Sequence, residues 1–379
     1  MNANPLNLSL FVACWVLFAS PGAHSQCATD SLPSADELHI TGMIHFNINV
    51  RDYERSREFY RAAGFIDQIG PFPETNTIEV SRGVGLDQLY RLYAELMYLG
   101  KLPDEPMDLT VPTGRFVDLI DWLDPERLNP PYSAVNHMGL SYFTLTTTDI
   151  DDQIEALIVA GATMVVGPVA DGNGDRLAML RDPDGIFLKL LQPSTERDNT
   201  PSIENININV SDLECSQRFY EMLGLEAQSS PTMALKNAES VQTGFLQGLF
   251  GKAQSKSKHA VASDRLTAAL GLGSGVVKRD LVMRHRTDGA QVQLSQWVKP
   301  EVIGTPYSGA ATHIGINRIN WASSDVESDV ALLKSHGVEF LSPIAPCCDG
   351  KASTFGFIMF KDPDGIYNQI MGTIKPRED

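Results

Sequence analysis

The chain is constrained most by a stretch that occurs twice, Arg181-Asp182-Pro183-Asp184-Gly185-Ile186 and Lys361-Asp362-Pro363-Asp364-Gly365-Ile366. Apolar runs flank each copy: Leu177 to Leu180 and Phe187 to Leu191 around the first, Phe357 to Phe360 and Tyr367 to Met371 around the second. Pro is preset for the second position of a tight turn, Asp bonds the local backbone, and Gly accepts positive φ. Strand, turn, strand follows, so an antiparallel hairpin is expected near the end of each half. A repeat of this period, carrying other matching pieces with it, predicts one architecture used twice.

Those matching pieces are present. Ile44, Phe46, Ile48 and Val50 alternate with His45, Asn47 and Asn49, the pattern of a half-buried strand. Asp52 then stands at a helix N-cap, Tyr53, Ser56, Phe59, Tyr60 and Ala63 recur at helical spacing, and Gly64 ends the helix. The second half opens alike, with Ile206, Ile208 and Val210 against Asn205, Asn207 and Asn209, a cap at Asp212, a stripe through Phe219 and Tyr220, and Gly224. Each half divides again. His137-Met138-Gly139 and His313-Ile314-Gly315 precede new strands, Asp149 and Asp325 cap new helices, and Gly161 and Gly337 close them. The expected fold is α+β, with four strand–helix–strands units. Residues 42–193 and 203–373 form the two expected domains, 194–202 the linker, and about 229–278 an insertion with no partner in the first half.

Residues 1–25 read as an export signal. Leu8 to Ser20 is nearly all apolar, Pro21-Gly22 breaks it, and Ala23-His24-Ser25 offers a small-x-small cleavage site. A retained anchor is the other reading, because Met1 to Asn7 carries no basic side chain. Residues 26–41 form a polar leader. The expected location is therefore secreted or periplasmic, with no membrane span once the signal is removed. A formal charge of -17 argues against nucleic acid as a partner. The mature chain keeps Cys27, Cys215, Cys347 and Cys348, too few for a disulfide scaffold. A vicinal bridge, other pairings or free thiols all stay open, as does a homo-oligomer.

The pieces Val50-x-Asp52, Ser56, Phe59-Tyr60 and Gly64-Phe65, with Arg181 to Ile186, resemble the vicinal oxygen chelate superfamily. That superfamily includes glyoxalase I, extradiol dioxygenases and bleomycin-resistance proteins. The resemblance covers both halves apart from the insertion. It implies four βαβββ modules whose successive pairs curl into two open cups. In metal-using members the cups carry His or Glu on the first and fourth strands of each module. The resemblance carries those places onto His45, Glu95, Tyr142 and Lys189 in the first half, and onto Asn205, Gln293, Arg318 and Gln369 in the second.

His45, Glu95, Tyr142 and Lys189 make an acid–base set, with the Glu orienting the imidazole and the Lys holding an oxyanion. Asn47, Asn205, Gln293, Arg318 and Gln369 make a ligand-binding set. A divalent metal needs three or four imidazole, carboxylate or thiolate donors, and the eight places supply only His45 and Glu95. No cofactor is expected. His137 and His313 are expected to bond loop carbonyls. The function expected is binding of a small oxygenated organic molecule. The alternative is a metal-dependent lyase, isomerase or dioxygenase built on His45 and Glu95.

Overall fold

The computed structural model describes residues 31–70, 76–101, 111–125, 129–170, 174–197, 201–228, 232–233, 276–307, 311–347 and 353–375. Residues 1–25, expected to be an export signal, together with Cys27, Cys348 and most of the 229–278 insertion, lie outside the described residues. Four modules follow in order. The first comprises β1 (Ile40–Val50), α1 (Tyr53–Ala62), β2 (Phe65–Ile69), α2 (Ile78–Gly83), β3 (Arg91–Leu99) and β4 (Phe116–Asp124). The second comprises β5 (Gly139–Thr146), α3 (Ile150–Val159), β6 (Thr163–Ala170), β7 (Arg176–Arg181) and β8 (Phe187–Gln192). The third comprises β9 (Ile203–Val210), α4 (Leu213–Met222), β10 (Leu225–Ala227), β11 (Thr232–Met233), β12 (Val277–His285) and β13 (Gln291–Lys299). The fourth comprises β14 (Gly315–Ser323), α5 (Val326–Ser335), β15 (Ala345–Pro346), β16 (Phe355–Lys361) and β17 (Tyr367–Thr373).

The helix starts follow the sequence signals. Asp52, Asp149, Asp212 and Asp325 accept backbone N–H bonds from the first turns of α1, α3, α4 and α5. Each helix ends against a Gly with positive φ, such as Gly64 at 98° and Gly224 at 90°. Both Asp-Pro-Asp-Gly stretches are turns between paired antiparallel strands, β7 with β8 and β16 with β17.

The expected pairing of successive modules into cups is not found. One sheet runs β15-β16-β17-β14-β1-β4-β3-β2, joining the first module to the fourth. The other runs β10-β12-β13-β9-β5-β8-β7-β6, joining the third to the second. Each sheet therefore draws on both halves of the chain. In every module the first strand pairs in parallel with the last, and the first strands meet antiparallel across each sheet, β1 with β14 and β5 with β9.

What joins successive modules is the turn motif itself. Asp182 accepts N–H bonds from Asp184 and Ile186 within its own turn, and Tyr60 of α1 donates its hydroxyl to the same carboxylate at 3.0 Å. Asp184 takes Ser56 of α1 at 3.0 Å and the Arg51 backbone at 3.1 Å. The later copy repeats this on α4, with Tyr220 on Asp362 at 3.1 Å and Ser216 on Asp364. The four helices that follow the first strands, α1, α3, α4 and α5, thus lie between the sheets. A single apolar core collects the helix-facing side of both, and Phe46 meets Phe143 across it at 5.0 Å. The other face of each sheet forms a cup, and the two cups look away from each other.

Candidate functional site

Counting back from the helix caps places equivalent side chains. Asn47, Thr144, Asn207 and Asn320 stand five residues before their caps, and His45, Tyr142, Asn205 and Arg318 stand seven before. Strand register then identifies the partner on the last strand of each module: Asp118 opposite Asn47, Lys189 opposite Thr144, Gln293 opposite Asn207, Gln369 opposite Asn320. The position expected for Glu95 belongs to Asp118.

Glu95 points the other way. Its β3 neighbours Met97 and Leu99 belong to the central core, and its carboxylate accepts the Tyr53 hydroxyl at 2.5 Å and faces Arg57 at 3.0 Å, both on α1. It lies on the helix face while His45 is in the cup, so the two cannot share a metal ion or a proton. Apolar residues on both faces of β3 explain the misplacement, since alternation there does not mark a side. Tyr142 and Lys189 belong to the second cup and never meet His45. The binding set divides likewise: Asn47, Arg318 and Gln369 in the first cup, Asn205 and Gln293 in the second.

The first cup therefore has its own floor. Arg318 on β14, Asn47 on β1 and Asp118 on β4 stand in one row across three adjacent strands. Asn47 donates to Asp118 Oδ2 at 2.5 Å and accepts from Asn320. His45 Nε2 lies 3.8 Å from the same carboxylate oxygen. Arg318 is only 6% exposed and donates to Gln369 Oε1 at 2.7 Å and Asn317 Oδ1 at 3.2 Å. Among the described residues no carboxylate lies within 4.0 Å of this guanidinium. Burial, opposed by Arg318 and the Asn47 bond, lifts the Asp118 carboxyl to about 6. Burial and then Arg318 push His45 down to about 3, so its imidazole is neutral. Five buried polar atoms of this floor and wall have no hydrogen-bond partner among the described residues: His45 Nδ1, Asp118 Oδ1, Asn317 Nδ2, Asn320 Oδ1 and Trp122 Nε1. Such atoms are few in folded proteins, and their gathering in one cup marks a place for a ligand.

The walls and roof are apolar. Ile44, Leu92, Ile120, Trp122, Phe357 and Met359 line the cup, and Tyr90 meets Trp122 edge-on at 5.0 Å. The roof is α2, which none of the repeated signals marks. It sets Val80 and Gly83 against β15 and β16.

The second cup is different. Lys278 is bound to Asp280 at 2.8 Å, Ser295 donates to Asp280 at 2.7 Å, and Trp297 donates to Asn209 at 2.9 Å. Thr144 donates to Asn205 at 3.1 Å. Its polar groups satisfy one another. His137 and His313 sit outside both cups, at the ends of a four-ring stack through Tyr132 and Tyr307. His137 Nδ1 meets the Met138 carbonyl at 2.9 Å, as expected, while His313 Nδ1 meets Asn129 at 3.0 Å.

Sequence comparison finds two matching segments. The family model for the Glyoxalase/Bleomycin resistance protein/Dioxygenase superfamily matches residues 103–190 and 202–370. The chain belongs to that superfamily. No curated protein matches it. Among solved structures, glyoxalase I from Zea mays is similar at 16% identity, with TM-score 0.52 over 87% of this chain and 92% of that one. A putative dioxygenase from Bacillus subtilis is similar at 15% identity, with TM-score 0.49 over 89% and 87%. The likeness to glyoxalase I is one of fold.

The metal positions implied by superfamily membership fall on His45, Asp118, Arg318 and Gln369 in the first cup. They do not fit a divalent ion. Arg318 has no lone pair to give and sets a permanent cation among the donors, and the Gln369 oxygen is already taken by it. His45 and Asp118 alone make two ligands. In the second cup Tyr142, Lys189, Asn205 and Gln293 offer no imidazole or carboxylate. No group of three His, Cys, Asp or Glu suited to a metal occurs among the described residues.

Proposed function

We propose that this protein binds a small organic carboxylate in the first cup and does so without the superfamily's metal. One observation carries the reading: a buried guanidinium beside five polar atoms that have no partner among the described residues, with none of those residues' carboxylates in direct contact with it. Such a guanidinium keeps N–H groups for a ligand, and Arg is suited to a planar two-oxygen partner. The alternative enzyme built on His45 and Glu95 loses its support, because those side chains lie on opposite faces of the sheet. Export agrees with the disulfide-bonded state of Cys215 and Cys347, since structural disulfides are rare in reducing compartments.

The test is a thermal-shift and calorimetric screen of simple aliphatic and aromatic carboxylates against the wild type and two variants. Arg318→Met should abolish binding, and Lys189→Met, in the other cup, should leave it unchanged. Carboxylate binding that survives Arg318→Met would defeat the proposal.

A further inference from the structure

We propose that the ligand of the first cup is an amino acid with an apolar side chain, held as its zwitterion between Arg318 and Asp118. The inference rests on the carboxylate reading above and goes further in naming what stands at the other end of the molecule.

The unpartnered atoms divide into two groups. Asn317 Nδ2 and Trp122 Nε1 are donors, and with Arg318 they offer a carboxylate its partners. Asp118 Oδ1, Asn320 Oδ1 and, with the ring proton on the Nε2 that faces Asp118, His45 Nδ1 are acceptors, one for each N–H of an ammonium group. The amide orientations are fixed by neighbours. Asn320 donates its Nδ2 to Asn47, and Asn317 accepts the Arg318 N–H on its Oδ1. A hydroxyl has one hydrogen to offer and would leave two of the acceptors unmet.

Charge points the same way. The floor carries one cation on Arg318 and one carboxylate on Asp118, with His45 neutral and Tyr90 a phenol. A monoanion would leave one uncompensated negative charge in a buried site, whereas a zwitterion leaves none. Arg318 and Asp118 stand in one row on either side of Asn47, two strands apart and about 10 Å between backbones, so opposite charges face the cup from its two sides. The apolar residues clustered beside this floor, Ile44, Leu92, Ile120, Trp122, Phe357 and Met359, suit an aliphatic or aromatic side chain.

Two matched series test this by calorimetry: leucine, hydroxyisocaproate, isocaproate and isoamylamine, and phenylalanine, phenyllactate, phenylpropionate and phenethylamine. The amino acid should bind tenfold or more tighter than the acid lacking nitrogen, with the hydroxy acid between them and the amine not binding. Asp118→Asn, confirmed as folded by its thermal transition, should bring amino acid and plain acid within about threefold of each other. Equal binding of leucine and isocaproate, or of phenylalanine and phenylpropionate, by the wild type would overturn the zwitterion while leaving the carboxylate reading intact. If no acid of either series binds, the carboxylate reading itself falls.

Discussion

Asp118→Asn is the most informative single change for stability as well as for binding. The Asp118 carboxyl rises from its ordinary 3.8 to about 6 in the folded chain, chiefly because the site is dry. A raised folded value means the group favours the fold fully below pH 3.8 and loses that contribution as pH climbs through 6. Each tenfold weakening of the acid is worth about 1.4 kcal/mol, so the loss comes to about 3 kcal/mol above pH 7. Asn is nearly isosteric, keeps an oxygen for the Asn47 donor and carries no charge to desolvate. The variant should therefore be about 2–3 kcal/mol more stable than wild type near pH 7.5 and indistinguishable from it near pH 4. Urea unfolding at both pH values, with disulfides oxidised, measures the difference directly. The attraction of Arg318 already opposes the rise, so it does not alter the sign. A pH-independent difference, or a variant weaker than wild type at pH 7.5, would show that Asp118 is not a strained, dry carboxylate.

Other perturbations separate scaffold from site. Glu95→Gln should cost about 1–3 kcal/mol through Tyr53 and Arg57 yet leave carboxylate binding unchanged; a lost ligand would return Glu95 to the site. Tyr60→Phe and Tyr220→Phe each remove a buried donor to a turn carboxylate and should lower unfolding free energy by about 1–3 kcal/mol, measured by denaturant titration. Gly83→Ala places a new carbon 2.7 Å from Ala345 Cβ and 2.8 Å from the Phe357 ring, so about 1–3 kcal/mol of stability should go and the roof should loosen. Ala345→Gly in the same chain should restore part of it, and no rescue would mean α2 does not rest on β15. Elemental analysis of protein purified without chelator should find less than one Zn, Fe, Mn or Ni per chain, and one tightly held ion would revive a metal site.

Much of the fold was legible because the same signals recur at the same offsets. Asp caps, closing glycines and the turn motif located four modules. Alternation put His45, Asn47 and Asn205 on cup faces, and counting back from the Asp325 cap did the same for Arg318; they lie there. Two things stayed hidden. On β3 and β4 apolar residues occupy both faces, so nothing local distinguishes Glu95 from Asp118; the register with β1 does. A repeat also shows which segments are alike without showing which ones meet. One signal did bear on that question: Ser56 and Tyr60 on one helix, and the two carboxylates of the turn, are polar groups inside apolar patterns. Each set needs partners, and each finds them in the other.

The pairing of outer module with outer module sets an order of assembly. β5 and β9 are about 65 residues apart and can join before the last module has been made, whereas β1 waits for β14 across about 270 residues. Chain closure over the longer span costs only about 1 kcal/mol more at equilibrium. The interval is the larger burden. Until the fourth module arrives, β1 offers an unpaired central edge, the surface on which chains exchange strands or aggregate. A ribosome stall or a cleavage after residue 310 would thus leave a finished second cup attached to half of the first, with Asp118 present and Arg318 missing.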